Sequence, residues 1–213
     1  MSSSDSKRLE NRLAVITGAS RGIGKSVALA LAREGAHCIL LARTPGALEE
    51  VDDEIQAMGG SATLVPVDLT DFEAIDRLGA SIYERWGKLD ILVANAGILG
   101  TLSPLGHIKV EEWQKVLDVN LTANWRLIRS LDPLLKESDA GRVIMVSSGV
   151  AQTHKAYWGT YAVSKAAIEA MAGIYANENA NTAINCNVIN PGATRTNMRA
   201  QAMPGEDPET PVS

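Results

Sequence analysis

The 213 residues carry a net charge of −5, with 46% hydrophobic and 21% charged side chains and a pI near 5.3. That length suits one domain with a sizeable core, and the acidic balance gives no electrostatic footprint for nucleic acid. No apolar run approaches a membrane span, and the serine-rich start "MSSSDSKRLENR" lacks the apolar stretch of a signal peptide.

Residues 1–11 read as a disordered lead-in, 12–198 as the folded domain and 199–213 as a polar, proline-rich tail. Within the domain, short apolar runs read as buried strands: "LAVIT" (13–17), "CILLA" (38–42), "ATLVPV" (62–67), "LDILVA" (89–94), "RVIMVS" (142–147) and "INCNVI" (184–189). Helical stretches separate most of them, at 24–34, 45–58 and 72–86. Strand–helix alternation with nearly continuous apolar strands predicts a doubly wound α/β fold, a parallel sheet covered on both faces.

Between the first strand and the first helix lies "TGASRGIGK", with Gly18, Gly22 and Gly24. Glycines there allow a tight turn and close approach of a pyrophosphate, and the following helix N-terminus offers free N–H groups. The flanking strand and helix make this a dinucleotide site, with Gly18, Ser20, Arg21, Gly22, Ile23 and Gly24 as its contacts. The second strand ends at Ala42–Arg43, where an NAD site would place a carboxylate for the ribose 2′-hydroxyl. Arg43, with Arg21 from the glycine loop, instead suits a 2′-phosphate through charge-assisted bonds, so the expected cofactor is NADP.

Residues 110–135 read as one long helix, with an apolar stripe through Trp113, Val116, Leu117, Leu121, Leu127 and Leu131 and a frayed or kinked end at Pro133. Further on, "YAVSK" puts Tyr161 and Lys165 at i and i+4, on one helix face. Lowering a phenol from a pKa near 10 to about 7 takes roughly 4 kcal/mol. An ammonium about 4 Å away at an effective dielectric near 20 supplies about that much. Such a pair can act as an acid–base group beside a carbonyl. The histidines His37, His107 and His154 have no metal-like grouping, and Cys38 and Cys186 have neither CxxC nor Cys/His spacing, which fits a reducing cytoplasm. His154 reads as a solvated loop residue, and Trp158 as a candidate for shaping a pocket.

Five motifs in order resemble the short-chain dehydrogenase/reductase family over about 11–198: "TGASRGIG", the aspartate of "VDLTD", "ANAG" (94–97), Asn120 in "DVNL", and Ser148 with "YAVSK" followed by "NPG". The resemblance implies strand order 3-2-1-4-5-6 and an NADP(H)-dependent interconversion of a small-molecule alcohol and carbonyl. Tyr161 would be the acid–base group, Ser148 the carbonyl-polarising hydroxyl, and Lys165 would also hold the nicotinamide ribose. Asn120 would hold a water that relays protons to Lys165. Ser147 is the alternative to Ser148, and the thirteen-residue offset to Tyr161 favours the latter. The likeness also implies cofactor contacts at Asp68 and Leu69 (adenine), at Asn95, Ala96 and Gly97, at Pro191 and Gly192, and at Thr194 and Thr196 (carboxamide). The family more often has a second asparagine where this chain has Ala94.

Relatives commonly dimerise through the long helix and the tyrosine-bearing helix, here about 110–135 and 159–177, so at least a homodimer is implied. They also usually continue into a seventh strand beside the sixth. Only 15 residues follow Met198 here, so 184–189 is expected to form a bare sheet edge, with an incomplete substrate lid and weakened turnover. Two other functions fit the same resemblance: a cofactor-bound epimerase or dehydratase, and a cofactor-binding regulatory or scaffold protein without efficient turnover.

Overall fold

The computed structural model describes residues 7–207. Six parallel strands form one sheet in the order β3-β2-β1-β4-β5-β6. They are β1 Leu13–Thr17, β2 His37–Ala42, β3 Ser61–Pro66, β4 Ile91–Ala94, β5 Arg142–Val146 and β6 Asn185–Ile189. All six lie within the predicted apolar runs or within one residue of them. The helices are α1 Gly22–Arg33, α2 Pro45–Ala57, α3 Phe72–Trp86, α4 Val110–Leu117, α5 Ala123–Lys136, α6 Val150–Thr153, α7 Gly159–Glu178 and α8 Asn197–Ala202.

Alternation along the strands divides the core between the two faces. Ala14, Ile16, Cys38 and Leu40 face α1 and α2, packing with Ala28, Ala32, Leu48, Val51 and Ile55. Leu13, Val15, Leu92, Val143 and Met145 face the other way, with Leu127 and Leu131 of α5 and Ile168 and Ala172 of α7. α3 and α5 cross closely: a Cβ on Gly79 would lie 2.1 Å from the Ser130 carbonyl oxygen. Burial pushes the thiol of Cys38 up to about 12 and that of Cys186 up to about 11, so neither is a ready nucleophile.

The continuous helix expected over 110–135 is interrupted. A π-helical turn, Asp118–Thr122, separates α4 from α5, and the Ala123 N–H reaches back five residues to the Asp118 carbonyl. Helical periodicity is too coarse to reveal one extra residue in a turn. Pro133 lies inside α5, which runs on to Lys136.

Residues 1–6 lie outside the described residues, but 7–11 are held in place: Arg8 pairs with Glu34, and the Leu9 N–H donates to the Glu34 carbonyl. The polar tail contains most of α8, where Arg199 pairs with Glu206, and its residues 208–213 lie outside the described residues. Among the described residues the sheet ends at β6, as expected, with Val188 38% and Ile189 45% exposed.

Beneath the sheet, at the strand N-termini, Asp90 is fully buried. It accepts bonds from the Leu13 N–H, the Ser138 hydroxyl, Arg12 and Lys88. Burial alone would raise this carboxyl, but those donors together hold it below the usual carboxylate range.

Candidate active site

The carboxyl ends of β1, β4 and β5 converge on one cleft edge. There the glycine loop forms a bare backbone cradle. Gly18 and Gly22 have φ of +64° and +55°, and a Cβ on Gly24 would sit 2.2 Å from the Gly18 carbonyl oxygen. Arg21 precedes α1 in an extended conformation, and no side chain caps the helix. The first N–H groups of α1 are therefore free of side-chain acceptors, a suitable arrangement for a pyrophosphate. Ser20 and Ile23 are half-buried in the loop and Arg21 is exposed.

Asn95 and Thr17 brace this loop from behind. The Thr17 hydroxyl accepts from the N–H groups of Asn95 and Ala96, each at 3.0 Å, and Asn95 Nδ2 donates to the Thr17 carbonyl at 2.9 Å. The Asn95 amide thus holds the loop, a role that falls to its side chain because Thr17 and Gly18 lie alongside it. Thr17 is a member of the site that the sequence reading missed, although a threonine ending the first strand was there to be noticed.

At the ends of β2 and β3, Arg43 approaches Asp68 at 4.0 Å, both with largely exposed side chains. Asp68 also accepts from the Thr70 N–H and hydroxyl, and the Thr70 bonds together with Arg43 hold its carboxyl below its usual range. The Leu69 side chain is buried in the core, which leaves its backbone for any contact at the rim.

Segment 190–196 folds against the glycine loop: a Cβ on Gly22 would meet Thr196 Cγ2 at 3.4 Å. Gly192 has φ +68°, and the Thr194 hydroxyl donates to the Pro191 carbonyl. The Thr196 oxygen caps α8 by accepting from the Arg199 N–H at 3.2 Å. Its own proton remains available to donate.

Tyr161, Ser164 and Lys165 lie on the buried face of α7. Tyr161 is 7% exposed, and its hydroxyl has the Ser148 side chain as a neighbour that opposes the effect of burial on its titration. Lys165 is 3% exposed; its ammonium donates to the Val146 carbonyl at 2.7 Å and lies 5.7 Å from the Tyr161 ring centre. Ser147 is turned away from this cleft: its hydroxyl donates to Glu169 Oε1 at 2.6 Å. Trp158 leans on Tyr161, with ring centres 6.1 Å apart, and His154 sits on an exposed loop at φ +50°.

The depressed phenol expected from the charge balance is absent from the protein alone. Burial raises Tyr161, with Ser148 opposing it, and burial pushes Lys165 down to about 8. Coulomb attraction taken by itself ignores what it costs to bring both groups out of water.

Asn120 is fully buried in the π-helical turn. Its Oδ1 accepts from the Ile98 N–H at 2.8 Å, and its Nδ2 donates to the Ile98 carbonyl and to the Ser164 hydroxyl. Gly97 lies between it and the ammonium: a Cβ there would be 3.3 Å from Asn120 Oδ1 and 3.5 Å from Lys165 Nζ. The turn thus brings Asn120, Gly97 and Lys165 together, although the side chain of Asn120 is occupied in holding Ile98 and Ser164. No group of three or more potential metal ligands occurs among the described residues.

A family model described as short chain dehydrogenase matches residues 12–207. The oxidoreductase YciK of Escherichia coli is 40% identical over 205 residues, covering 94% of this chain and 81% of its own length. Among solved structures, a short-chain dehydrogenase from Pseudomonas syringae superposes with a TM-score of 0.93 at 40% identity, over 97% of this chain and 86% of that one. Another, from Shigella flexneri and complexed with NADP, has a TM-score of 0.91 at 39% identity, over 96% of this chain and 86% of that one.

Proposed function

We propose an NADP(H)-dependent reaction for this chain, which belongs to the short-chain dehydrogenase family. The protein is a nicotinamide-dependent oxidoreductase that interconverts an alcohol and a carbonyl; the choice of NADP and the residue roles are our assignment. The observation that carries the assignment is one buried helix face holding Tyr161 and Lys165, with the Ser148 side chain beside the phenol.

The nicotinamide, when bound, gives or accepts the hydride. The residues of the chain handle the proton and the charge. In reduction, the Ser148 hydroxyl donates to the carbonyl oxygen, and the Tyr161 O–H passes its proton to that oxygen as negative charge develops. In oxidation the phenolate takes the proton back. Lys165, as an ammonium, stabilises the phenolate form and offers a donor to the ribose. Asn120 fixes Ile98 and Ser164 around that ammonium, and the water relay to Lys165 is assigned to it.

NADP is favoured because Arg21 and Arg43 are both exposed at the mouth of the cradle, with Ala42 where a 2′-hydroxyl partner would stand. The NADP complex of the Shigella flexneri relative agrees with this choice. Ser20, Gly22, Ile23 and Gly24 are assigned to the pyrophosphate side. Asp68 and the Leu69 backbone are assigned to the adenine side. Ala96, Gly97, Pro191, Gly192, Thr194 and Thr196 are assigned to the nicotinamide side. The domain is taken as 12–198.

A homodimer is the proposed assembly, because Trp125 on α5 and Val163 and Ile174 on α7 are 47%, 45% and 59% exposed. The expected compartment is the cytoplasm. No helix among the described residues is long and apolar enough to cross a membrane.

The test is steady-state loss of NADPH and of NADH absorbance against a panel of aldehydes and ketones. Selective consumption of NADPH supports the reading. Equal use of both cofactors would overturn the NADP assignment, and no consumption with any carbonyl would overturn the role given to Tyr161.

A further inference from the structure

Two neighbouring serines at the end of β5 have separate partners. Ser148 neighbours the Tyr161 phenol, while Ser147 is 2% exposed and donates to Glu169 Oε1 at 2.6 Å, with a longer approach of 3.5 Å to the Lys165 carbonyl. Glu169 Oε2 accepts from Gln152 Nε2 at 3.3 Å. Its carboxylate therefore holds the residue just before Ser148 and the residue four positions after it. The backbone around Ser148 is fixed as well: the Ser147 N–H donates to the Ile189 carbonyl, and the Ala151 N–H donates to the Ser148 carbonyl. Lys165 holds Val146, one residue further back.

Tyr161, Lys165 and Glu169 stand at i, i+4 and i+8 on α7, so one helix face carries the acid–base pair and then this carboxylate. A half-buried glutamate on a helix is most often only part of a solvated face. A 2.6 Å charge-assisted bond to a buried hydroxyl is of another kind, both short and directional.

We propose that Glu169 is a positioning residue: by clamping Ser147 and Gln152 to α7, it holds the Ser148 hydroxyl in register with Tyr161. This rests on the reaction assigned above, in which Ser148 and Tyr161 act on the same oxygen. The bonds of Glu169 go to Ser147 and Gln152, so its positioning effect passes through the backbone around Ser148.

The proposal is tested with Glu169→Ala and Glu169→Gln. A displacement of Ser148 by about 1 Å costs on the order of a hundredfold, so Glu169→Ala should lower kcat by about ten- to a hundredfold while the KM for NADPH stays within about twofold of the parent. Glu169→Gln should restore most of kcat, because its amide oxygen still accepts from Ser147 and the Gln152 amide can turn its own oxygen toward the new N–H₂. Parent-like kcat in Glu169→Ala, or a Glu169→Gln variant as slow as Glu169→Ala, would overturn the proposal. Should Glu169→Ala fail to fold, the Ser147→Ala, Gln152→Ala double variant removes the same two contacts; a slow enzyme is expected, and a fast one overturns the idea.

If the parent itself turns over no carbonyl, the assigned reaction fails, and the clamp is judged by near-ultraviolet titration of the phenol, with Tyr161→Phe as the blank. Withdrawal of the Ser148 hydroxyl from the phenol in Glu169→Ala should raise the pKa of Tyr161. Simple removal of a negative charge would lower it. A lowered or unchanged pKa would overturn the clamp.

Discussion

Replacing Lys165 with methionine should abolish turnover and yet stabilise the fold at neutral pH. The side chain is 3% exposed, and burial pushes its pKa from 10.5 down to about 8. At pH 7 the amine is charged in both folded and unfolded chains, so the folded state bears the full penalty. The gap between 10.5 and about 8 converts to about 3 kcal/mol at 1.36 kcal/mol per pH unit. Methionine is similar in length and apolar, and it removes that penalty. It also removes the charge-assisted bond to the Val146 carbonyl, a loss of about 2 kcal/mol. The net gain is about 1 kcal/mol at pH 7. A depressed lysine pKa means that the unfolded chain binds more protons between pH 8 and 10.5, so the parent recovers stability as pH rises through that window. The methionine variant should therefore lead at pH 7 and lose its lead by about pH 10.5. Urea unfolding of parent and variant at pH 7, 9 and 10.5 reads this directly. A variant less stable than the parent at pH 7, or a lead that does not shrink with pH, would refute the reasoning.

Changing Arg43 to Asp should reverse the cofactor preference toward NADH, read by titrating both reduced cofactors; an unchanged preference would place the phosphate contact elsewhere. Gly24→Ala would set a Cβ 2.2 Å from the Gly18 carbonyl oxygen and 2.6 Å from Asn95 Nδ2. Cofactor affinity should fall by about a hundredfold, roughly 3 kcal/mol, measured by fluorescence titration of NADPH. Asp90→Asn should cost about 2–3 kcal/mol at pH 7 by weakening bonds from two cations. Because the folded pKa of Asp90 is depressed, its contribution is present above 3.8 and is lost as pH falls through the folded value. The gap between parent and variant in acid unfolding should therefore close at low pH.

The strands were readable because each is a short apolar run bounded by turn residues, and those runs fall on β1–β6 in sequence; the sheet order came from the family resemblance, not from the runs. Pairing Tyr161 with Lys165 needed only helical spacing. The π-helical turn at Asn120 was hidden, since one extra residue in a turn shifts the apolar stripe too little to register against the pattern on either side. The contacts of Asn95 with Thr17 and Gly18, and of Ser147 with Glu169, join strands to distant loops or helices, so spacing along the chain carries no trace of them. Burial at Tyr161 and Lys165 likewise depends on the whole assembled face of α7. An argument from charge alone put the phenol too low for that reason.

The central claim is that the Tyr161 phenol supplies the proton for carbonyl reduction. It is tested most directly by comparing parent and Tyr161→Phe in NADPH-dependent reduction of the best carbonyl substrate, with the Kd for NADPH measured alongside. The phenylalanine ring keeps the packing against Trp158 and removes only the hydroxyl that neighbours Ser148. The account predicts a fall in kcat of at least a hundredfold or so with the Kd for NADPH nearly unchanged. A Tyr161→Phe enzyme that reduces the substrate at the parent's rate would contradict it.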